Sequence, residues 1–249
     1  MKATRRKEIS RTKQRRRKCR PHLFLTLNYH IIDRTIQDSI AISEEAFEAQ
    51  MAYLREHGYR ALSIQQAIDD IYGRRSAPPR SLLLTFDDGY ADNVRTALPI
   101  LQQYGMRATL FVISAYVGQR NRWNPRACYD TLHMTWDDLR FWLAGGCDFG
   151  GHSHQHLCMT RLDEEELLAS VQVNKRLLEE QLHISPRAFA YPYGRFNQAV
   201  QEVVRQHYEV AFAVERGGWN APADRYAINR VMVLPTWSLA EFGEQLSHR

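Results

Sequence analysis

The sequence predicts an α/β protein with a mainly parallel sheet, formed by a single domain over residues 21–249. Short apolar runs alternate with longer segments of helical periodicity, and roughly seven of the runs have the character of strands. No linker or change in composition divides this segment, and 44% of the 249 residues are hydrophobic, which is enough for a sizeable core. Polar residues able to do chemistry repeatedly follow a predicted strand, as they do at the carboxyl end of a β/α sheet.

The predicted strands are short apolar runs bounded by polar or turn residues. In chain order they are Leu23–Leu27, Ser81–Phe86, Arg107–Ile113, Cys147–Gly151, Arg187–Tyr191, Glu209–Val214 and Ile228–Val233. Residues 114–135 are rich in Gly, Asn and Pro, and we expect an irregular insertion there.

The predicted helices lie between these strands and show apolar residues at helical spacing. Phe47, Met51 and Leu54 form such a stripe in the first helix. The later helices are expected at Ile64–Ile71, Asn93–Tyr104, Trp136–Ala144, Asp163–Leu182 and Ala199–Gln206. Asp92 or Asn93 is the expected N-cap of the helix that follows the second strand.

The first 20 residues differ from the rest of the chain in charge. They hold 11 of the 33 Lys and Arg residues but one of the 28 acidic residues, so this segment is +10 and the remainder is −5. Like charges at this density repel, and we expect residues 1–20 to form a disordered basic tail. A weak contact with an anionic membrane or with nucleic acid is one interpretation, and a merely solvated tail is the other.

Two adjacent carboxylates and two spaced histidines form the most informative pattern in the chain. Asp87 and Asp88 end a buried strand, and His152 and His156 follow another strand at a spacing of four. One carboxylate and two imidazoles can hold a divalent ion and leave positions open for water. The other carboxylate can accept a proton from that water, so the pattern predicts metal-assisted hydrolysis.

Three motifs resemble those of the polysaccharide deacetylase family, also known as the NodB homology domain or carbohydrate esterase family 4. They are TFDDG at 85–89, HSHQH at 152–156 and FAYPYG at 189–194. Their order and spacing agree with the family, and the resemblance covers about residues 24–235. It implies a distorted (β/α)7-type barrel that removes N-acetyl groups from a GlcNAc-containing poly- or oligosaccharide.

The resemblance also implies a role for each matching residue. Asp88, His152 and His156 are expected to bind Zn²⁺, or another divalent metal such as Co²⁺, Ni²⁺ or Fe²⁺. Asp87 is the expected general base, and the backbone N–H of Tyr193 is expected to stabilise the oxyanion.

The sequence departs from the commonest family pattern in two ways. His248 stands next to the C-terminus and does not fit the Leu-x-x-His motif that usually supplies the acid, and Ala190 occupies the place of a frequent arginine. Both departures resemble the poly-β-1,6-N-acetylglucosamine deacetylase branch, in which a Tyr-His pair after the first strand provides the acid. That pair corresponds to Tyr29-His30, and His30 is the expected general acid.

Four residues are candidate substrate contacts: Tyr191, Pro192, Trp219 and Arg230. Three of them have an alternative interpretation. Tyr191 could pack the rim of the barrel, Trp219 could belong to the core, and Arg230 could supply the charge of the missing arginine.

The leading functional hypothesis is a metal-dependent N-deacetylase of an N-acetylated glycan. The alternatives are a deacylase of a small N-acyl metabolite and a carbohydrate-binding pseudoenzyme. The apolar run Leu23–Leu27 is shorter than the roughly 7–15 residues of a signal-peptide core, and no run reaches the roughly 20 of a transmembrane helix. We therefore favour a cytoplasmic or membrane-peripheral protein without a transmembrane segment, although the family resemblance leaves an extracytoplasmic location open.

Overall fold

The computed structural model of the chain describes residues 24–122, 131–214 and 224–247. All strand pairs of its main sheet are parallel. The strands are β1 Leu25–Tyr29, β2 Ile31–Ile32, β3 Ala41–Ile42, β4 Arg60–Ala61, β5 Ser81–Phe86, β6 Thr109–Val112, β7 Asp148–Gly151, β8 Ala188–Ala190, β9 Val210–Phe212 and β10 Val231–Met232.

The main sheet has the strand order β10-β1-β5-β6-β7-β8-β9, with β4 paired to β5, while β2 and β3 form a separate pair. Val231 of β10 pairs with Leu27 of β1, and Ile228 makes a parallel bridge to Phe212 of β9. Segment 228–232 therefore contacts both β1 and β9, and the sheet curls into a distorted barrel. Because the strands are parallel, their carboxyl ends gather on one face.

Helices connect the strands and cover the outside of the sheet. They are α1 Glu44–Glu56, α2 Ile64–Ile71, α3 Leu98–Gln103, α4 Trp136–Ala144, α5 Glu164–Leu182, α6 Gln198–His207 and α7 Leu239–Ser247. Within the described ranges, no helix combines the length and the apolar character needed to cross a bilayer.

Both faces of the sheet are buried, as the continuous apolar strands require. In β5, Leu82 and Leu84 join the large cluster beneath α1, α3, α4 and α7, whereas Leu83 joins a second cluster with Phe111 and Phe212. Side chains alternate between the two faces of a strand, so one apolar run supplies both clusters.

The predicted α/β barrel is confirmed, and several elements have the predicted bounds. Strand β5 and helices α2 and α4 begin and end at the expected residues. Phe47, Met51 and Leu54 are fully buried on α1, as their spacing predicts.

The segment after β5 differs from the prediction. A π-helical turn, Asn93–Ala97, precedes α3 where one regular helix was expected. Asp92 makes no capping bond to this turn; its Oδ2 accepts a hydrogen bond from the backbone N–H of Ile32, 2.6 Å away. The β2–β3 pair and α7 were not predicted.

Three expectations fall on residues outside the described ranges. They concern the basic tail at 1–20, Trp219 as a substrate contact and the position of His248. They stay predictions.

Candidate metal and catalytic site

The predicted site residues come together at the carboxyl ends of neighbouring strands. Asp87 and Asp88 follow β5, His152 follows β7 and His30 follows β1. Strand β1 adjoins β5, and β6 alone lies between β5 and β7, so residues far apart in sequence come close together.

Asp88, His152 and His156 form a buried cluster with the composition of a metal site. Asp88 Oδ1 lies 3.4 Å from Nε2 of His152 and 3.4 Å from Nε2 of His156. The three side chains are at most 5% exposed, and their ligand atoms lie within 4.8 Å of one another. Among the described residues, Asp88 Oδ1 has no hydrogen-bond partner. A buried carboxylate oxygen that faces two imidazole nitrogens fits a divalent metal.

Left-handed backbone conformations concentrate at this site. Among the described residues, six that are not glycine have positive φ, and four of them belong to the motif loops: Asp88 (72°), Ser153 (63°), His156 (56°) and Tyr193 (59°). Such conformations cost about 1–3 kcal/mol each and persist where the surroundings enforce them. Their clustering indicates that the surrounding fold enforces the backbone conformation of the loops that form the site.

The two imidazoles are prepared to act as ligands. The ring Nδ1 of His152 lies 2.7 Å from the carbonyl oxygen of Ala190, which can only accept, so Nδ1 carries a proton and Nε2 is the nitrogen left to bind a metal. Burial opposes a charge on this ring, but Asp87 and Asp88 outweigh burial and raise the pKa of His152, so a metal would bind Nε2 in competition with a proton. Burial lowers the pKa of His156 to about 3, which keeps its ring in the neutral, metal-binding form.

The carboxylate of Asp87 is held by an arginine and an amide. Arg230 donates from Nη1 to Oδ1 and from Nη2 to Oδ2, both at 2.7 Å, and Asn28 Nδ2 donates to Oδ2 at 3.2 Å. Arg230 Nη1 also donates to Asn28 Oδ1 at 3.0 Å and to Thr85 Oγ1 at 3.3 Å. This network fixes the orientation of Asp87 at the edge of the metal cluster.

The same network sets the protonation of Asp87. Burial alone would raise the pKa of this carboxyl, but Arg230 and His152 outweigh burial and hold it below its usual value. Asp87 is therefore ionised at neutral pH and can accept a proton. His30 Nε2 lies 3.8 Å from Asp87 Oδ2, and burial lowers the pKa of His30, which is neutral before reaction.

The side chains of the third motif differ in their exposure. Tyr193 is 51% exposed, and its ring lies 4.6 Å from the ring of His156, at the mouth of the site. Tyr191 is fully buried, donates from its hydroxyl to the carbonyl oxygen of Tyr226 at 2.9 Å, and thus packs the barrel rim. Pro192 is also buried. The side chains of Tyr191 and Pro192 are not placed to touch a glycan.

Arg230 also differs from its expected role as a substrate contact. It is 1% exposed and bonded to Asp87, which corresponds to the alternative interpretation as a replacement for the missing arginine. It reaches the site from the segment before β10, whereas Ala190, in the expected arginine position, belongs to β8.

Three buried polar residues that support the site were not predicted. Asn28 and Thr85 are fully buried in β1 and β5, and both contact the Asp87–Arg230 pair. Asn174 of α5 donates to the carbonyl oxygens of Val112 and Ser153, at 2.9 and 2.7 Å. A polar residue inside an apolar strand was a usable signal for Asn28 and Thr85, because buried polar groups need partners.

Known proteins with similar sequences and structures agree with this fold. YxkH of Bacillus subtilis, which carries the name of a polysaccharide deacetylase, is 28% identical over 218 residues, covering 87% of this chain and 74% of YxkH. The poly-β-1,6-N-acetyl-D-glucosamine N-deacetylase of Escherichia coli K12 is 23% identical over 258 residues; the match covers 90% of this chain but spans 38% of that protein.

The solved structure of IcaB from Ammonifex degensii superposes with a TM-score of 0.78 and 26% identity, covering 91% of this chain and 96% of IcaB. The family model described as polysaccharide deacetylase matches residues 74–210, more than half of the chain. That match includes the Asp87-Asp88 and His152–His156 motifs and the third motif before Arg195. The chain therefore belongs to the polysaccharide deacetylase family.

Proposed function

We propose that this chain is a divalent-metal-dependent N-deacetylase of a GlcNAc-containing poly- or oligosaccharide. The observation that carries the proposal is the contrast between two neighbouring carboxylates. Asp88 faces Nε2 of two imidazoles and has an unsatisfied oxygen, while Asp87 is ionised and oriented by Arg230. A carbohydrate-binding pseudoenzyme has no need for such an oriented base.

The metal would be held by Asp88, His152 and His156. Zinc suits this set of one carboxylate and two imidazoles, and Co²⁺, Ni²⁺ or Fe²⁺ can bind similar ligands. When bound, a divalent ion supplies a Lewis acid that polarises the acetamide carbonyl and makes a water more acidic.

The proton transfers are assigned to Asp87 and His30. Asp87 accepts a proton from the attacking water, and the hydroxide equivalent adds to the acyl carbon. His30 Nε2 lies 3.8 Å from Asp87 Oδ2, beyond direct hydrogen-bond distance, so the proton passes from Asp87 to His30 through a water. His30 then protonates the nitrogen as the C–N bond breaks, which releases the amine of the glycan and acetate.

Tyr193 is proposed to serve the acyl group. Its backbone lies in the left-handed region, at the end of β8 and beside His156. We assign its N–H to the oxyanion of the tetrahedral intermediate, where an oriented donor stabilises the developing charge. The half-exposed ring is a suitable apolar surface for the sugar.

The glycan assignment is supported by the names of the relatives. Both the Escherichia coli relative and a Staphylococcus epidermidis protein that is 25% identical over 237 residues are named poly-β-1,6-N-acetyl-D-glucosamine N-deacetylases. Together with the Tyr29-His30 pair, this favours a β-1,6-linked substrate over a β-1,4-linked one.

The test is acetate release from short β-1,6- and β-1,4-linked N-acetylglucosamine oligomers by zinc-loaded protein. The parent should release acetate faster from the β-1,6 oligomer, and Asp87→Asn should lower kcat by about 100- to 10,000-fold, because the base is lost. Asp137→Asn is the matched control, since Asp137 is an exposed carboxylate on α4. Its activity should equal that of the parent.

Two other results would redirect the assignment. Zinc binding without acetate release from either oligomer, but with deacylation of a small N-acyl sugar, would identify a metabolite deacylase. Oligomer binding by parent and Asp87→Asn alike, with no hydrolysis by either, would identify the carbohydrate-binding alternative.

A further inference from the structure

A short segment, residues 132–134, is hydrogen-bonded to the loop that carries Asp88. Residues 132–134 run antiparallel to the loop that follows β5 and form a bridge with it. Three hydrogen bonds connect the two segments: Ala91 N–H to Leu132 O (2.8 Å), Met134 N–H to Gly89 O (2.9 Å) and His133 Nδ1 to Asp88 O (3.1 Å).

Of these three hydrogen bonds, the one made by the imidazole of His133 is the bond to Asp88. The acceptor is a backbone carbonyl oxygen, so Nδ1 of His133 must carry the proton and donate. His133 is 3% exposed, and its ring is stacked between those of Tyr90 and Tyr116, with centroids 4.9 and 5.6 Å away. The donor therefore has a fixed direction.

The residue that receives this bond has an unfavourable backbone. Asp88 has a φ of 72°, a region that non-glycine residues seldom adopt because Cβ crowds the neighbouring peptide. Without an external bond the loop would gain by relaxing, and the carboxylate would turn away from His152 and His156. A donor that engages the carbonyl of Asp88 offsets this tendency.

We infer that His133 is a positioning residue, which holds Asp88 in the left-handed conformation that aims its carboxylate at the two imidazoles. The inference rests on the proposed function, because the orientation of the Asp88 carboxylate matters only if the site binds a metal. His133 is not a member of the Asp88–His152–His156 cluster, and acts through the carbonyl oxygen of Asp88.

The test compares two substitutions of nearly equal size that differ in one donor. The amide Nδ2 of an asparagine can occupy the place of Nδ1 of His133, whereas leucine has the same shape and no donor. Both substitutions remove the ring stacked on Tyr90 and Tyr116, so this loss cancels in the comparison. The measurement is the Zn²⁺ dissociation constant of the full chain, by competition with a chromogenic chelator.

His133→Leu should bind zinc about 10- to 100-fold more weakly than His133→Asn, as expected when a group supporting a metal ligand is lost. Phe242→Leu provides the stability control, because Phe242 is fully buried on α7 and contacts Tyr53 rather than the site. It should lower the thermal midpoint and leave the zinc affinity unchanged.

Equal zinc affinities of His133→Leu and His133→Asn would overturn the positioning role. So would a loss of affinity in Phe242→Leu as large as that in His133→Leu, because affinity would then follow stability alone. A parent chain that binds none of Zn²⁺, Co²⁺ or Ni²⁺ would overturn the proposed metal-dependent function and this inference with it. Binding by the parent that is unaffected by His133→Leu would overturn only the inference.

Discussion

Asp87 and Asp88 are adjacent in sequence and are both buried, yet their surroundings are opposite. Both oxygens of Asp87 accept hydrogen bonds from Arg230, and one also accepts from Asn28. Asp88 Oδ1 has no such partner among the described residues and faces His152 and His156. A carboxylate whose oxygens accept from a fixed arginine and an amide is suited to act as a base. A carboxylate with an unsatisfied oxygen beside imidazoles is suited to act as a metal ligand.

The largest expected effect comes from removing the cation beside Asp87. Arg230→Met leaves a buried carboxylate without its partner, and we expect a loss of about 3–5 kcal/mol in the free energy of unfolding. Denaturant titration in the presence of a chelator measures it. The double variant Asp87→Asn/Arg230→Met should regain much of the loss, because neither charge then remains buried. A loss no greater than that of a surface substitution would show that solvent, not Arg230, satisfies Asp87.

The different roles of Asp87 and Asp88 are tested by replacing each of them with asparagine and measuring the free energy of unfolding with and without zinc. Asp87→Asn should destabilise the metal-free protein, because Arg230 loses its counter-charge, while Asp88→Asn should change it less. Zinc at a hundred times its dissociation constant should stabilise the parent and Asp87→Asn by about 2.7 kcal/mol. Asp88→Asn should lose most of that gain. If zinc stabilised Asp88→Asn fully and failed to stabilise Asp87→Asn, the two roles would be reversed.

The sequence predicted that Asp88, His152 and His156 lie together but not which residues hold Asp87. Asp88, His152 and His156 lie in short motifs that end strands, and parallel strands bring their ends together in any barrel of this class. Arg230 lies 143 residues from Asp87, and that pairing depends on segment 228–232 meeting β1 at the edge of the sheet.

Local spacing also explains which elements were predicted well. Strand β5 and helices α2 and α4 are bounded by clear changes of pattern, and their ends agree with the prediction. The segment after β5 was predicted as one helix with an Asp92 or Asn93 cap. It begins instead with a π-helical turn, and the carboxylate of Asp92 accepts a hydrogen bond from Ile32 in place of capping that turn. A long-range bond thus overrides a local propensity.

A moderate effect is expected when the amide beside Asp87 is removed. Asn28→Leu keeps the size of the side chain but removes the donor to Asp87 and an acceptor of Arg230. We expect a loss of about 1–3 kcal/mol in stability, the usual cost of an unsatisfied buried group. The kcat should fall while zinc affinity stays at the parental value, since Asn28 does not contact the metal cluster. An equal loss of zinc affinity would mean that the two carboxylates are not independently held.

The smallest expected effect concerns Asp92, the third carboxyl of the same region. Burial raises the pKa of Asp92 to about 7, whereas the unfolded value is near 3.8. Between these two pKa values Asp92 is protonated in the folded chain and ionised in the unfolded chain. The contribution of Asp92 to the free energy of unfolding therefore declines as the pH rises from about 4 to 7. Asp92→Asn has no proton to lose, and its amide oxygen can still accept from the N–H of Ile32.

The difference in stability between Asp92→Asn and the parent should therefore grow in favour of the variant between pH 5 and pH 8. We expect a change of about 1 kcal/mol, since Asp92 is only partly buried and solvent reduces the cost of its charge. Denaturant midpoints at the two pH values, in chelator, measure the difference, and the other titrating groups cancel between the two proteins. A difference that is constant with pH would show that Asp92 is ionised throughout.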